Sequence, residues 1–154
     1  MMTVDPVDAI MHVMRQAFEP AFGEAWTRRQ IADSLLLPNT HYLLADPRLP
    51  EISSDPHEAN GFALSRHVLD EEELLLIAVI PNERGRGIGR RLLEDLCENA
   101  RNRGSKRLFL EMRDGNEAEK LYKQFGFQEI GRRPGYYRGA KHGPIDAITF
   151  AKSL

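Results

Sequence analysis

An apolar run, a turn with three glycines and a helical pattern follow one another directly from residue 74 onward. The run 74–80 ends at Pro81, and Gly85, Gly87 and Gly89 then occupy alternate positions. A strand that enters a helix through such a turn presents free backbone N–H groups at the positive end of the helix dipole. Glycine lets an anion approach these amides, because a Cβ would stand in its way, and glycine also tolerates φ > 0. The segment therefore predicts a site for a phosphate or pyrophosphate group.

Two common phosphate-binding motifs fit this turn poorly. A Walker A loop ends in Gly-Lys-Ser/Thr, whereas Gly89 is followed by Arg90 and Arg91. A dinucleotide fingerprint has the spacing G-x-G-x-x-G, with an acidic residue after a second strand, whereas the glycines here are spaced G-x-G-x-G. A third motif, R/Q-x-x-G-x-G/A, is matched in full.

That third motif is the signature of the GNAT superfamily of N-acetyltransferases, which this chain resembles through Arg84, Gly87 and Gly89. In the superfamily the signature follows a strand that contains V-x-P, and Val79 and Pro81 supply this pattern. The resemblance implies an α/β fold of the α+β type. Its central sheet would be mixed, mostly antiparallel and splayed at its middle, with helices on both faces. It also implies acetyl-CoA as the co-substrate, and no metal.

Further matches are typical of the RimI branch, the bacterial enzymes that acetylate the N-terminal α-amine of a ribosomal protein. They are W-T at Trp26, L-E-x-R around Glu111, then Asn116, A-x-x-L-Y ending at Tyr122, and R-x-x-Y-Y ending at Tyr137. The resemblance runs from about Trp26 to the C-terminus. It implies a protein N-terminus as the acceptor, plausibly the alanine of ribosomal small-subunit protein 18.

The resemblance also assigns residues to the cofactor. The pyrophosphate would lie on the glycine turn, and the strand before it would offer backbone groups to the pantetheine arm. The implied contacts are Ile77, Ala78, Val79, Arg84, Gly85, Arg86, Gly87, Ile88, Gly89, Arg90 and Asn116. The family pattern N-x-x-A-x-x-L-Y has two residues between its asparagine and its alanine, whereas this chain has one residue between Asn116 and Ala118. Gly115 could therefore hold the asparagine position and is an alternative to Asn116. Which of the three arginines meets a phosphate stays open.

Acetyl transfer to an amine needs a proton acceptor for the amine and a proton donor for the departing thiolate. Glu111 is a lone carboxylate in an otherwise apolar strand, and it matches the proton acceptor of RimI-type enzymes. A salt bridge to Arg113 or another arginine is the alternative for Glu111. Tyr122 matches the tyrosine that serves as the acid in the superfamily. Packing against Leu121 and Phe125 is the alternative for Tyr122.

The acceptor side follows from the resemblance alone. Trp26, Tyr136 and Tyr137 would line the peptide groove. Ile145 stands where the branch has the glutamate of Glu-Asp-Ala, so substrate preference can differ. Two alternatives remain, namely an acetyltransferase for a lysine side chain or small amine, and a non-catalytic acetyl-CoA sensor. Because both Glu111 and Tyr122 are present, an enzyme is favoured over a sensor.

Composition indicates one small enzyme domain spanning residues 1–154, with 42% hydrophobic residues. Residues 84–154 hold 16 Lys/Arg against 9 Asp/Glu, and residues 1–83 hold 5 against 14. The basic half would meet the anionic cofactor, and the acidic half could steer a cationic substrate. Cys97, the single cysteine, fits a packed thiol in a reducing cytoplasm. We expect a monomer or weak dimer, with no membrane span and no direct nucleic-acid partner.

The pattern of apolar and turn-forming residues predicts the remaining elements. Asp5 or Asp8 would cap a first helix, and Thr27 would cap a second over 28–36. An acidic turn is expected at 70–73, and a long proline-rich connection at 47–58. The predicted strands are 41–46, 61–67, 107–113, one starting at 127, 133–138 and 145–152, with a helix over 117–125.

Overall fold

In a computed structural model the chain is described over residues 5–18, 25–46, 59–138 and 143–154. The predicted connection at 47–58 lies outside these residues. The helices are α1 (Pro6–Ala17), α2 (Arg28–Leu35), α3 (Ile88–Asn102) and α4 (Glu119–Phe125). The strands are β1 (Thr40–Ala45), β2 (Gly61–Val68), β3 (Glu71–Val79), β4 (Arg107–Arg113), β5 (Gln128–Tyr137) and β6 (Ile145–Ser153).

The first two helices begin at side chains that satisfy their free backbone amides. Asp5 caps α1, because its Oδ1 accepts a hydrogen bond from the Val7 amide at 2.9 Å. Thr27 caps α2 in a capping box, in which its hydroxyl accepts from the Gln30 amide and the Gln30 side chain accepts from the Thr27 amide. Both predicted caps are therefore confirmed.

The six strands form one sheet in the order β1-β2-β3-β4-β6-β5, in which β3 and β4 pair in parallel and every other pair is antiparallel. Helices α1 and α2 pack on one face with a buried cluster that includes Ile10 and Ile31. Helices α3 and α4 cover the other face, where Leu92 and Tyr122 belong to a second cluster. Cys97 packs in this second cluster, and burial raises the pKa of its thiol. The mixed, mostly antiparallel sheet with helices on both faces is as predicted.

The sheet splays between β3 and β4 because β3 carries a bulge. Ser65 pairs with Leu74 and Leu64 with Leu76, so Leu75 has no partner on β2. A bulge bends its strand, and the parallel ladder between β3 and β4 ends just before it, at the pair Leu74 and Leu110. The bulge also shifts the alternation of side chains, so that Leu74 packs under α3 whereas Leu76 packs under α1. The splay opens toward the glycine turn.

Three predicted boundaries are wrong. Residues 71–73 are the start of β3 rather than a turn, and helix α4 begins at Glu119 rather than at residue 117. Strand β5 runs without interruption from Gln128 to Tyr137, whereas two separate strands were expected there. It forms an edge of the sheet, and most of its residues are exposed.

Glu72 explains the first of these errors. Its side chain is fully buried, with the Arg103 guanidinium donating to its two carboxylate oxygens at 3.1 and 3.0 Å. The Ser65 hydroxyl donates a third hydrogen bond at 2.8 Å. Beside this group, His41 and His67 stack and share a ring-nitrogen contact of 2.7 Å. The acidic run is thus stabilised in a strand by an arginine at the far end of α3.

Candidate active site

The glycine turn connects β3 to α3 through left-handed backbone. A single 3-10 turn, Pro81–Glu83, is followed by Gly85 with φ +81° and by Gly87 with φ +79°. Gly87 is the N-cap of α3 and supplies no side chain to its free amides. A Cβ built at Gly85 or Gly87 would meet no atom within 4 Å, so the space beside the turn is open. Glycine is needed here for the positive φ and leaves the amides accessible.

Gly89 serves a different purpose from the two glycines before it. A Cβ at Gly89 would lie 3.1 Å from Leu121 Cδ2 and 4.0 Å from Val79 Cγ2. The absence of a side chain therefore allows the first turn of α3 to approach α4 and the end of β3 closely.

A cleft of about 690 Å³ lies in the splay between the glycine turn and α4. All predicted cofactor-binding residues line it except Arg86, and Tyr122 lines it as well. Gly115, the alternative to Asn116, lines it too. The sequence did not indicate the other lining residues, which are Ala17, Phe18, Glu83, Arg113, Glu117, Ala118 and Leu121. The end of α1 thus closes one side of the cleft, and no local pattern in α1 could have indicated this role.

The main chain at the end of β3 faces the cleft. The Ile80 amide donates to the Asn60 carbonyl at 2.9 Å, which makes this pair a hydrogen-bonded one. Because hydrogen-bonded and non-bonded pairs alternate in an antiparallel ladder, the main-chain groups of Val79 and Ile77 point away from β2. They point into the gap that the splay leaves beside β4.

Arg84 ties together three segments around the cleft. Its Nε donates to the Val79 carbonyl at 3.1 Å, its Nη1 to Glu117 at 3.2 Å, and its Nη2 to the Ala17 carbonyl at 3.1 Å. The side chain therefore stabilises the walls of the cleft.

The other two arginines of the turn are paired with acidic neighbours. Arg86 donates to Glu83 at 2.8 Å and Arg90 to Glu94 at 3.2 Å. The Arg90 guanidinium also lies 5.7 Å from the centroid of the Phe125 ring. The amides of the turn are thus better placed for an anion than these guanidinium groups, which would first have to leave their carboxylates.

Tyr122 is 5% exposed and lies on α4. Its ring packs edge-to-face on Phe127, with centroids 5.6 Å apart. The ring thus packs in the core, and this packing holds it at the wall of the cleft.

Asn116 shapes the turn between β4 and α4. Its Oδ1 accepts from the Ala118 amide at 2.8 Å, and its carbonyl accepts from the Glu119 amide at 3.1 Å. Gly115, with φ +84°, precedes it, and both residues line the cleft. The side-chain oxygen of Asn116 is thus engaged in the turn, while Gly115 offers backbone at the same wall.

Glu111 lies where the sheet opens, one residue beyond the last pair of the β3–β4 ladder. Its neighbours Leu110 and Met112 point into the cluster that contains Tyr122, so Glu111 points to the opposite face. The Glu111 side chain is 26% exposed, and its Oε2 lies 3.4 Å from Arg133 Nε. Glu111 thus forms a salt bridge with Arg133.

The predicted acceptor residues lie outside the 690 Å³ cleft. Trp26 is partly buried against the cluster under α1 and α2. Tyr136 is 52% exposed on β5 and packs edge-to-face on Tyr137, with centroids 5.2 Å apart. The Asp146 carboxylate accepts from the Gly135 amide, and this bond together with the Arg132 guanidinium lowers the pKa of Asp146. The Arg133 guanidinium carbon lies 5.3 Å from the centroid of the Tyr136 ring and so links Tyr136 to Glu111. Trp26 belongs to a helix-packing core instead.

The acetyltransferase (GNAT) family model matches residues 7–127 of this chain. The chain belongs to the GNAT family. The match covers both walls of the cleft, from α1 to the end of α4. GNAT enzymes use acetyl-CoA, a co-substrate that carries the pyrophosphate for which the turn is suited.

Relatives place the chain near one branch of the GNAT family. The ribosomal protein bS18-alanine N-acetyltransferase of Haemophilus influenzae is 38% identical over 91 residues, which are 59% of this chain and 62% of that protein. A Bacillus subtilis relative is 34% identical over 119 residues, or 76% of this chain and 74% of its own length. The crystal structure of the Escherichia coli ribosomal-protein-S18-alanine N-acetyltransferase is 29% identical, has a TM-score of 0.80, and covers 99% of this chain and 92% of that one. These similarities confirm the resemblance to the RimI branch.

The described residues contain no candidate for a metal site or a membrane span. Within them, no group of three His, Cys, Asp or Glu side chains could hold a metal ion. No helix in the same part of the chain is long and apolar enough to cross a membrane. A smaller cavity of about 290 Å³ lies between β1 and α3, beside His41 and Arg103 and away from the glycine turn.

Proposed function

We propose that this protein transfers the acetyl group of acetyl-CoA to the N-terminal α-amine of a protein. The proposed acceptor is the alanine of ribosomal small-subunit protein 18. The observation that carries the proposal is the cleft in the splay, because it joins a glycine turn suited to pyrophosphate with Tyr122, and its lining residue Arg113 lies two positions from Glu111 on β4. The choice of acceptor rests on the relatives. The chain spans 62% of the length of the first of these relatives.

The cleft fits the parts of acetyl-CoA in order. The open amides after Gly85 and Gly87 suit the pyrophosphate, since no Cβ restricts access to them. The main-chain groups of Ile77 and Val79 suit the amides of the pantetheine arm, in the manner of an added strand. The turn at Asn116 forms the opposite wall. This arrangement would aim the thioester at the point where β3 and β4 part.

Glu111 and Tyr122 divide the proton transfers of the reaction between them. Glu111 accepts a proton from the acceptor's ammonium, directly or through a water molecule, and the amine then attacks the thioester carbonyl. As the amide C–N bond forms and the C–S bond breaks, the Tyr122 hydroxyl gives its proton to the sulfur. The nitrogen then loses its second proton, which restores the Tyr122 hydroxyl through solvent, and Glu111 returns its own proton to solvent. Because the two residues lie on opposite faces of the sheet, amine and thioester would meet in the gap between them. Such positioned acids and bases contribute about 10²–10⁴-fold each.

Thiol release from acetyl-CoA tests the proposal. One peptide starts with Ala-Arg-Tyr-Phe-Arg, and the second is the same peptide blocked at its amine but carrying an internal lysine. Turnover with the first peptide alone supports N-terminal acetylation. Turnover with the blocked peptide would replace it by lysine acetylation. Binding of acetyl-CoA without turnover on peptides or small amines would indicate a sensor.

Glu111→Gln tests the base directly. The amide cannot accept the proton, so we expect turnover at neutral pH to fall by about 10²–10⁴-fold while acetyl-CoA affinity is kept. Glu98→Gln on the exposed side of α3 is the matched control for the lost charge and should leave turnover unchanged. Unchanged turnover of Glu111→Gln across pH would remove Glu111 as the base.

We propose that residues 1–154 act as one domain in the cytoplasm, as a monomer or weak dimer without a nucleic-acid partner.

A further inference from the structure

Arg133 occupies a small cation site that the protein builds from its own residues. The Glu111 carboxylate lies 3.4 Å from Arg133 Nε, and the Tyr136 ring has its centroid 5.3 Å from the guanidinium carbon. The Glu111 side chain is 26% exposed and that of Arg133 is 64% exposed, so the carboxylate is the less exposed partner of the pair. A carboxylate beside an aromatic face is a combination that holds cations.

The acceptor amine reaches the enzyme as a cation of the same charge. An α-amino group has a pKa of about 7.7–8.0, so most of it is protonated at neutral pH. If Glu111 accepts its proton, as the proposed function requires, the ammonium has to approach the carboxylate that is paired with Arg133. Two cations cannot share this partner at close range without repulsion.

We infer that Arg133 is a placeholder for the acceptor's ammonium, which displaces the guanidinium from Glu111 when the acceptor binds. This inference rests on the proposed function. Between turnovers Arg133 occupies the carboxylate and excludes weakly bound cations. During binding it lowers the apparent affinity for every acceptor, so that an acceptor with further contacts along β5 displaces it at a lower concentration than a bare amine does. Arg133 is thus a specificity-determining residue rather than a catalytic one.

Neighbouring arginines do not fill this position. Arg132, the adjacent residue on β5, donates at 3.0 Å to both Asp114 and Asp146. It also lies within 3.4 Å of Glu129. Because successive residues of a strand alternate between faces, Arg132 points away from the face that carries Arg133.

The exchange of one cation for the other is energetically cheap. Arg133 and Glu111 form a largely exposed ion pair, and such pairs are weak. Removing the guanidinium should therefore lower the KM for the acceptor by about two- to fivefold, the range that an exposed pair can account for. The effect should shrink in 0.5 M salt, because ions screen exposed charges.

Steady-state kinetics with saturating acetyl-CoA and a varied free-amine peptide test this inference. We expect Arg133→Gln to lower KM two- to fivefold with kcat within twofold of the wild type. Arg133→Lys restores a cation and should return KM toward the wild-type value. Arg138→Gln removes the same charge near the end of β5 and should change neither parameter. An unchanged or raised KM in Arg133→Gln, or a kcat reduced more than twofold, would overturn the placeholder role.

A binding measurement keeps the inference separate from the proposed function. The ¹⁵Nε–H NMR signal of Arg133 is assigned by its absence from the spectrum of Arg133→Lys. The position of this signal without a carboxylate partner is measured in Glu111→Gln. Alaninamide, which carries a free ammonium, should move the wild-type signal toward that position, whereas N-acetyl-alaninamide should not. A shift without peptide turnover would defeat the proposed function and retain the placeholder. No difference between the two amides would refute the placeholder, whatever the turnover.

Discussion

Gly87→Ala separates the effect of backbone strain from the effect of a blocked phosphate site. Gly87 has φ +79° and a built Cβ meets no atom within 4 Å, so strain from the left-handed backbone is the main cost to folding. That cost is about 1–2 kcal/mol, which corresponds to a fall in Tm of about 2–8 °C for a domain of this size. Gly104, beyond the other end of α3, has φ +90° and equally open surroundings. Gly104→Ala should therefore destabilise the fold by a similar amount.

The two variants should differ in acetyl-CoA binding. Gly87 lines the cleft, so its new methyl group would hold the pyrophosphate away from the first amides of α3. A hydrogen bond from an amide to a charged group contributes about 1.5–3 kcal/mol. Loss of one such bond weakens binding by about tenfold, and loss of two by a hundredfold or more. Gly104→Ala leaves the cleft unchanged and should bind as the wild type does.

Calorimetric titration with acetyl-CoA, together with thermal unfolding of each free protein, provides both numbers. Comparable Tm losses with weakened binding in Gly87→Ala alone would support the phosphate site. Equal affinities in the two variants would refute it, since the shared strain is matched. A larger loss of Tm in Gly87→Ala than in Gly104→Ala would indicate that the new methyl group clashes with the protein. The open space beside Gly87 predicts that no such clash occurs.

Two further predictions concern the ion pair of Glu72 with Arg103 and the neighbouring His41. Arg103→Met leaves the buried carboxylate of Glu72 without its counterion and should cost about 3–5 kcal/mol in urea unfolding. Adding Glu72→Gln to that variant should recover much of the loss, and a single-variant loss below about 1 kcal/mol would contradict this account. Burial, together with Arg103 and His67, lowers the pKa of His41 from 6.5. The unfolded chain then binds a proton more readily, so stability is full above pH 6.5 and falls as the pH drops below it. His41→Gln should flatten the decline between pH 7.5 and 5.5 measured by urea unfolding, and an unchanged slope would exclude His41 as its source.

Local patterns were sufficient where a residue's conformation depends on its neighbours in the chain. The glycine turn, the Thr27 cap and the strand Arg107–Arg113 were predicted with the bounds that the structure has, because turn chemistry and alternation determine them. Nearly all predicted cofactor residues line one cleft for the same reason, since they belong to one strand, one turn and the start of one helix.

Contacts between distant segments account for what the sequence did not indicate. Four consecutive acidic residues resemble a solvated turn, whereas Glu72 is stabilised inside a strand by Ser65 and by Arg103, which is 31 residues away. Arg84 reaches Ala17 across 67 residues, so its structural role at the cleft has no local signal. The bulge at Leu75 depends on the pairing of β3 with β2, and an apolar run gives no indication of where a register shift falls.

The division of the two cores between opposite faces of the sheet has a consequence for how such a protein can evolve. The wall of the cofactor cleft that contains Tyr122 packs with α3 and α4, whereas Arg133 shares the face of Glu111 and lies on an edge strand that is mostly exposed. Mutations on that strand can therefore accumulate without repacking the wall that surrounds Tyr122. A lineage can change its acceptor while its cofactor-binding residues stay the same. We therefore expect acceptor preference to diverge faster among descendants than acetyl-CoA affinity.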